Sequence, residues 1–178
     1  MSYPLPPDCL EWQQKIRAFA ETELIPWEVE AEMNDGIIPE EASRRHQEMA
    51  GGMDLNRMDL PESVGGLDLS TLTQTVIWEQ LGRVTNALCW CFHEPEKWLF
   101  EICTDDQLER YVLPSMRGER HDCYAITEED SGSDVEGIKT TARLEGNSYV
   151  INGEKWYVTS ANHADYFILQ AKLEGGEN

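Results

Sequence analysis

The hydrophobic pattern of this 178-residue chain changes period near residue 121, and that change restricts the fold to a helical part followed by a β part. Upstream, Trp12, Ile16, Phe19, Ala20 and Leu24 recur at helical spacing behind Asp8, which suits an N-cap, and Pro26 ends or bends the helix they define. A second helix is expected from Pro39, at a first-turn position, to the Gly51-Gly52 pair. The stretch 52–70, with its Leu-Pro-Glu-Ser-Val-Gly-Gly run, reads as a loop of tight turns. Neither Gly51-Gly52 nor Gly65-Gly66 belongs to a phosphate-loop pattern. Ser70 suits the cap of a third helix that carries Leu72, Val76, Ile77, Leu81 and Val84 on one face and a Glu79–Arg83 pair on its surface. Leu88, Phe92, Trp98, Leu99 and Ile102 mark a further helical region that Pro95 begins or kinks, and Thr104-Asp-Asp-Gln107 has the form of a capping box opening a last helix toward Pro114.

From residue 122 onward, β-branched and aromatic residues are interrupted by Gly146-Asn147 and Asn152-Gly153, both turn signals. Read as one strand, the run 154–160 sets Trp156 and Val158 on one face and Tyr157 and Thr159 on the other, so that Tyr157 and Thr159 address the same ligand.

Composition narrows the function classes. Thirty-four acidic against 14 basic side chains give a formal charge of −20, which argues against nucleic-acid and anionic-membrane binding. No apolar run approaches the roughly 18 to 20 residues that span a bilayer, and the first residues lack the basic and apolar regions of a signal peptide, so a cytoplasmic location is expected. Five cysteines without a Cys-x-x-Cys pair and four histidines without helical ligand spacing point to neither a disulfide framework nor a metal site. In so acidic a chain, Glu128-Glu129 and Asp105-Asp106 read as solvated faces, and Glu94 as an exposed helix-start residue beside Pro95. Taken alone, 127–134 is an acidic surface loop.

Two motifs add a more specific reading. Residues 124–134, Tyr-Ala-Ile-Thr-Glu-Glu-Asp-Ser-Gly-Ser-Asp, and 152–159, Asn-Gly-Glu-Lys-Trp-Tyr-Val-Thr, resemble the Thr-Glu-Pro-x-x-Gly-Ser-Asp loop and the Asn-Gly-x-Lys-x-Trp-Ile-Thr strand of the acyl-CoA dehydrogenase family. The helix ending Leu24-Ile-Pro, the loop 60–66, the helix segment 78–83 and the run 111–118 are similar to that family in the same order. The resemblance implies an α+β fold, with an N-terminal all-α helical domain over residues 1–120 and an incomplete antiparallel β-domain over residues 121–178.

It also implies a function: the N-terminal half of an FAD-dependent enzyme that dehydrogenates an acyl-CoA thioester between its α- and β-carbons. The catalytic base is expected outside this chain, which is therefore expected to be inactive alone, and no catalytic residue is named. By resemblance, Tyr124, Ile126 and Thr127 lie along the flavin, and Gly132 and Ser133 form a close turn, with Ser133 also contacting the acyl-CoA. Tyr157 offers an aromatic wall, and Val158 and Thr159 complete the cofactor contacts, Thr159 near flavin N5. Glu129 stands where the family has Pro, and Tyr157 where it has Trp. The implied partners are a complementary chain or C-terminal half, further copies in a homo- or hetero-oligomer, and an electron-transfer flavoprotein or similar acceptor. Half of an acyl-CoA oxidase and a non-catalytic assembly protein are the alternatives.

Overall fold

A computed structural model of the chain describes residues 4–175, the side chain of Asn86 aside. The chain divides into two compact units, residues 1–119 and 120–178.

The first unit is helical. Helix α1 (Pro7–Phe19) starts after Pro6, so Asp8 lies inside its first turn and is not the cap; its negative charge there complements the helix dipole. The helix continues through a π turn (Ala20–Leu24) and a 3-10 turn (Ile25–Trp27) into α2 (Glu28–Met33). Pro26 thus bends the path without ending it. Helix α3 (Glu40–Gly52) begins after Pro39. Helix α4 (Thr71–Leu81) is capped by Ser70, whose hydroxyl accepts from the Thr73 amide.

Helices α1 and α4 lie side by side and parallel, because three bonds link them in ascending order. Cys9 Sγ lies 3.4 Å from Thr73 Oγ1, Arg17 Nε donates to Gln80 Oε1 at 3.0 Å, and Arg83 Nη2 donates to Glu21 Oε1 at 2.9 Å just beyond the ends of the two helices. Arg83 therefore pairs across the unit and not with Glu79, whose carboxylate accepts from Gln80. Ile16, Phe19, Leu24, Leu55, Met58, Ile77 and Leu81 fill the core between these elements. Leu72, expected on the buried face, is 46% exposed in the first turn of α4.

Between α5 (Asn86–Cys89) and α6 (Leu99–Ile102) the chain is irregular. Pro95 is buried in that stretch and starts no helix, and the extended bias it imposes on its predecessor suits the irregular path. Glu94 is half-buried there, with its Oε1 atom enclosed. The expected capping box is formed: Thr104 and Gln107 exchange side-chain and backbone bonds at the start of α7 (Asp105–Gln107). A π turn (Leu108–Val112) then leads into α8 (Leu113–Met116), which includes Pro114 in its first turn. Pro26 and Pro114 each follow a π turn, where the shifted hydrogen-bond ladder tolerates a residue without an N–H.

The second unit has two small sheets. Strand β1 (Asp122–Ala125) pairs in parallel with β4 (Tyr166–Leu169). Strand β2 (Thr141–Glu145) pairs antiparallel with β3 (Ser148–Asn152) through a two-residue turn in which Gly146 takes φ +62°, and in parallel with β5 (Lys172–Leu173). The antiparallel expectation thus holds for the hairpin alone. The segment 166–174 runs alongside both β1 and β2, and the long connections before it permit parallel pairing. The strand expected through 154–160 is absent: β3 ends at Asn152 and residues 153–158 are irregular. Among the described residues no helix is long and apolar enough to cross a membrane, and no group of His, Cys, Asp and Glu could hold a metal ion.

Candidate functional site

The loop after β1 and the segment after β3 are joined residue by residue. Lys155 Nζ donates to the Ile126 carbonyl and to Glu128 Oε1, each at 2.8 Å. The next residue, Trp156, donates its amide to the Thr127 carbonyl at 2.9 Å. Residues 126, 127 and 128 therefore each accept one bond from residues 155 and 156, which fixes the backbone on both sides of the Thr127 side chain.

Glu128 is the centre of this arrangement. Its carboxylate also accepts from the Lys139 amide at 2.5 Å and the Thr140 amide at 2.9 Å. The Glu128 and Lys155 side chains are 8% and 7% exposed. The expectation that Glu128 lies on a solvated face is overturned: it is buried, and bonds from Lys155 and from the residue 139–140 backbone hold its carboxyl well below the usual carboxylate range. Glu129 remains exposed, as expected. Ser131 is also buried, and its hydroxyl donates to the Asp134 carbonyl, closing the loop that carries Gly132 and Ser133.

The candidate residues fall into three places. Tyr124 lies in β1, partly exposed, with its hydroxyl donating to Gln170 Oε1 at 3.2 Å. Ile126 and Thr127 follow in the clamped loop. Gly132 and Ser133 are exposed on the following turn, and a Cβ at Gly132 would meet no heavy atom within 4 Å, so no close approach requires glycine there. Tyr157, Val158 and Thr159 follow Trp156. Tyr157 is 87% exposed and Val158 half-buried.

Alternation does not govern that last segment, because its backbone is not extended. Tyr157, Val158 and Ser160 take φ values of +65°, +38° and +66°. The Val158 amide bonds the Trp156 carbonyl at 2.8 Å, making Tyr157 the centre of a three-residue γ-turn of the positive-φ form, which is rare and strained. Tyr157 is presented to solvent by this turn, with its ring edge-on to Trp156 at 6.0 Å. Lys155 is the residue that sequence reasoning passed over, and Glu128 the one it set on the surface; the lysine of the second motif was the available signal.

The architecture is a helical unit followed by a β unit whose strands carry two linked loops rich in hydroxyl and aromatic groups. Residues 6–119 match the family described as acyl-CoA dehydrogenase, N-terminal domain, and residues 123–178 match acyl-CoA dehydrogenase, middle domain. The chain belongs to the acyl-CoA dehydrogenase family.

It is 30% identical over 171 residues to the human mitochondrial short-chain specific acyl-CoA dehydrogenase, covering 90% of this chain and 39% of that enzyme. Among solved structures, an acyl-CoA dehydrogenase from Geobacillus kaustophilus superposes with a TM-score of 0.77 at 26% identity, over 96% of this chain and 44% of the other. An acyl-CoA dehydrogenase from Bacillus anthracis complexed with FAD does so with a TM-score of 0.76 at 30% identity, over 95% and 29%. The chain thus spans less than half the length of these relatives.

The family uses FAD. The residues present fit the ring portion of such a cofactor: Thr127, Ser133 and Thr159 offer neutral hydroxyls, and Tyr157 offers an exposed aromatic face. Lys155 is committed to its buried contacts and Lys139 to Asp130 at 2.5 Å, so these two cations are engaged within the unit.

Proposed function

We propose that this chain supplies the flavin-contacting portion of an FAD-dependent oxidoreductase that dehydrogenates an acyl-CoA thioester. The observation that carries this reading is the joining of the two family motifs through the Trp156–Thr127 backbone bond, which ties the segment bearing Tyr157, Val158 and Thr159 to the loop bearing Thr127. Bound FAD supplies the hydride acceptor for the substrate β-carbon.

In this reading Thr127 and Thr159 would offer their hydroxyls to the polar edges of the ring, and Tyr157 would offer it an aromatic face. Tyr124 and Ile126 would line the ring, with Gly132 on the neighbouring turn. Ser133 holds the acyl-CoA. We assign no proton-abstracting base among the residues described. An acceptor of the electron-transfer flavoprotein kind and an oligomeric assembly complete the proposed system.

A second reading has its own observation. On the β3-β2-β5 sheet, Leu144, Tyr149, Ile151 and Leu173 share one face by register and are all exposed, as an assembly surface requires. Titration of the purified chain with FAD, read by visible absorption and flavin fluorescence, separates the two. Saturable binding that weakens in Thr127→Val and Thr159→Ala supports the flavin reading. No saturable binding by a folded chain sinks it and favours the assembly protein.

A further inference from the structure

The buried Lys155–Glu128 pair has no place in the reading above, yet its atoms touch both loops of the proposed site. We propose that Lys155 and Glu128 are positioning residues, which set the direction of the Thr127 hydroxyl and the placement of the segment from Tyr157 to Thr159 for the flavin. This inference rests on the flavin reading and assigns to that site two residues that contact no cofactor themselves.

Lys155 bonds the residues on either side of Thr127, through the Ile126 carbonyl and the Glu128 carboxylate, while Trp156 bonds the Thr127 carbonyl itself. Two of these bonds end on main-chain carbonyls, so rotation of the main chain at Thr127 strains them directly, and the third acts through the Glu128 side chain. From the same anchor the chain enters the γ-turn at Tyr157 within two residues, so any displacement of Lys155 displaces that turn. Glu128 in turn is held by the backbone amides of Lys139 and Thr140, which ties both loops to the start of β2. A buried pair of this kind need not add net stability, and replacing both members by neutral groups of similar shape is often tolerated. Its contribution here is register: it selects one relative position for two loops that are otherwise joined by a single backbone bond.

That distinction gives the test. In Lys155→Met the Glu128 carboxylate is left buried without its cation, so melting temperature falls. In the double variant Lys155→Met with Glu128→Gln no uncompensated charge remains, and the Gln carbonyl still accepts from the residue 139–140 amides; melting recovers most of the loss. The Ile126 carbonyl, however, has lost its donor in both variants.

The expected result is an FAD dissociation constant raised about tenfold in Lys155→Met and still raised about tenfold in the double variant, the scale of one lost charge-assisted hydrogen bond. Hydrogen exchange at the Trp156 amide accelerates in both variants while the β1–β4 amides keep their protection. Flavin affinity that recovers together with melting in the double variant makes the pair merely structural and overturns the proposal while leaving the flavin reading intact. A folded wild-type chain that shows no saturable FAD binding overturns the flavin reading and this inference with it.

Discussion

Lys155 Nζ and Glu128 Oε1 lie 2.8 Å apart in an ion pair almost closed to solvent, and the acid response of the β unit follows from it. The folded Glu128 carboxyl titrates below its unfolded value, with the Lys155 bond the largest cause. A depressed carboxyl contributes stability that is present above the unfolded value of about 4.3 and is lost as pH falls from there through the folded value. The melting-temperature gap between wild type and Glu128→Gln should therefore be constant near neutrality and shrink below about pH 4.3. A gap that stays constant to the lowest pH at which the chain folds would contradict this.

Glu94 in the helical unit responds with the opposite sign. Burial and the neighbouring Asp59 carboxylate push its carboxyl up to about 8, a backbone bond from Asp59 offsetting only part of this. Glu94 Oε1 and Asp59 Oδ1 are both enclosed without a hydrogen-bond partner. The folded state holds this proton more tightly than the unfolded one, so stability declines as pH rises from about 4.3 toward 8. Glu94→Gln removes the decline: it should raise melting temperature most at pH 8 and change it least near pH 4. Thermal melts of both proteins across that range decide the matter, and an equal shift at both ends would count against it.

Two glycines in the helical unit should answer alanine in opposite directions. A Cβ at Gly66 would lie 2.0 Å from the Leu60 carbonyl oxygen, a backbone atom tied down by the Asp68 amide at 2.8 Å. Gly66→Ala should cost about 1–3 kcal/mol, as overpacking does. A Cβ at Gly51, inside α3, meets nothing within 4 Å, and Gly51→Ala should stabilise by about 0.5–1 kcal/mol. Denaturant midpoints of the two variants give the comparison directly.

Val158 carries the least suitable side chain for its backbone. A β-branched residue at φ +38°, next to the γ-turn at Tyr157, holds strain of roughly 1–3 kcal/mol. Val158→Gly releases that strain, less the chain entropy that glycine adds to the unfolded state, and should raise the denaturation midpoint of the β unit. A lower midpoint would mean that the side chain's packing outweighs the strain.

Features set by neighbouring residues were legible in the chain. The Ser70 cap, the Thr104–Gln107 capping box, the end of α3 at Gly52 and the turn at Gly146 all depend on chemistry within four positions, and the change of hydrophobic period separated helices from strands. What escaped depends on distant partners. Glu128 is buried because Lys155 reaches it from 27 positions away, and Glu94 is half-buried beside Asp59, which lies far from it in the chain; in composition both were ordinary acids of an acidic chain. The Tyr157 turn escaped because aromatic and β-branched residues favour strands, and a tertiary bond from Trp156 to Thr127 overrode that preference. The two π turns carry no residue signal beyond the proline two positions later.

The parallel pairing of α1 with α4 bears on the order of events at the ribosome. Its three cross-links join residues 64, 63 and 62 positions apart, so the first helix emerges with its apolar stripe bare and finds its seat only after α3, the turn-rich loop and the fourth helix have been synthesised. Hairpin-like closure between successive helices is not available to it. The helical unit thus pays a loop-closure entropy before its core can form, and it should fold more slowly than its helix content suggests.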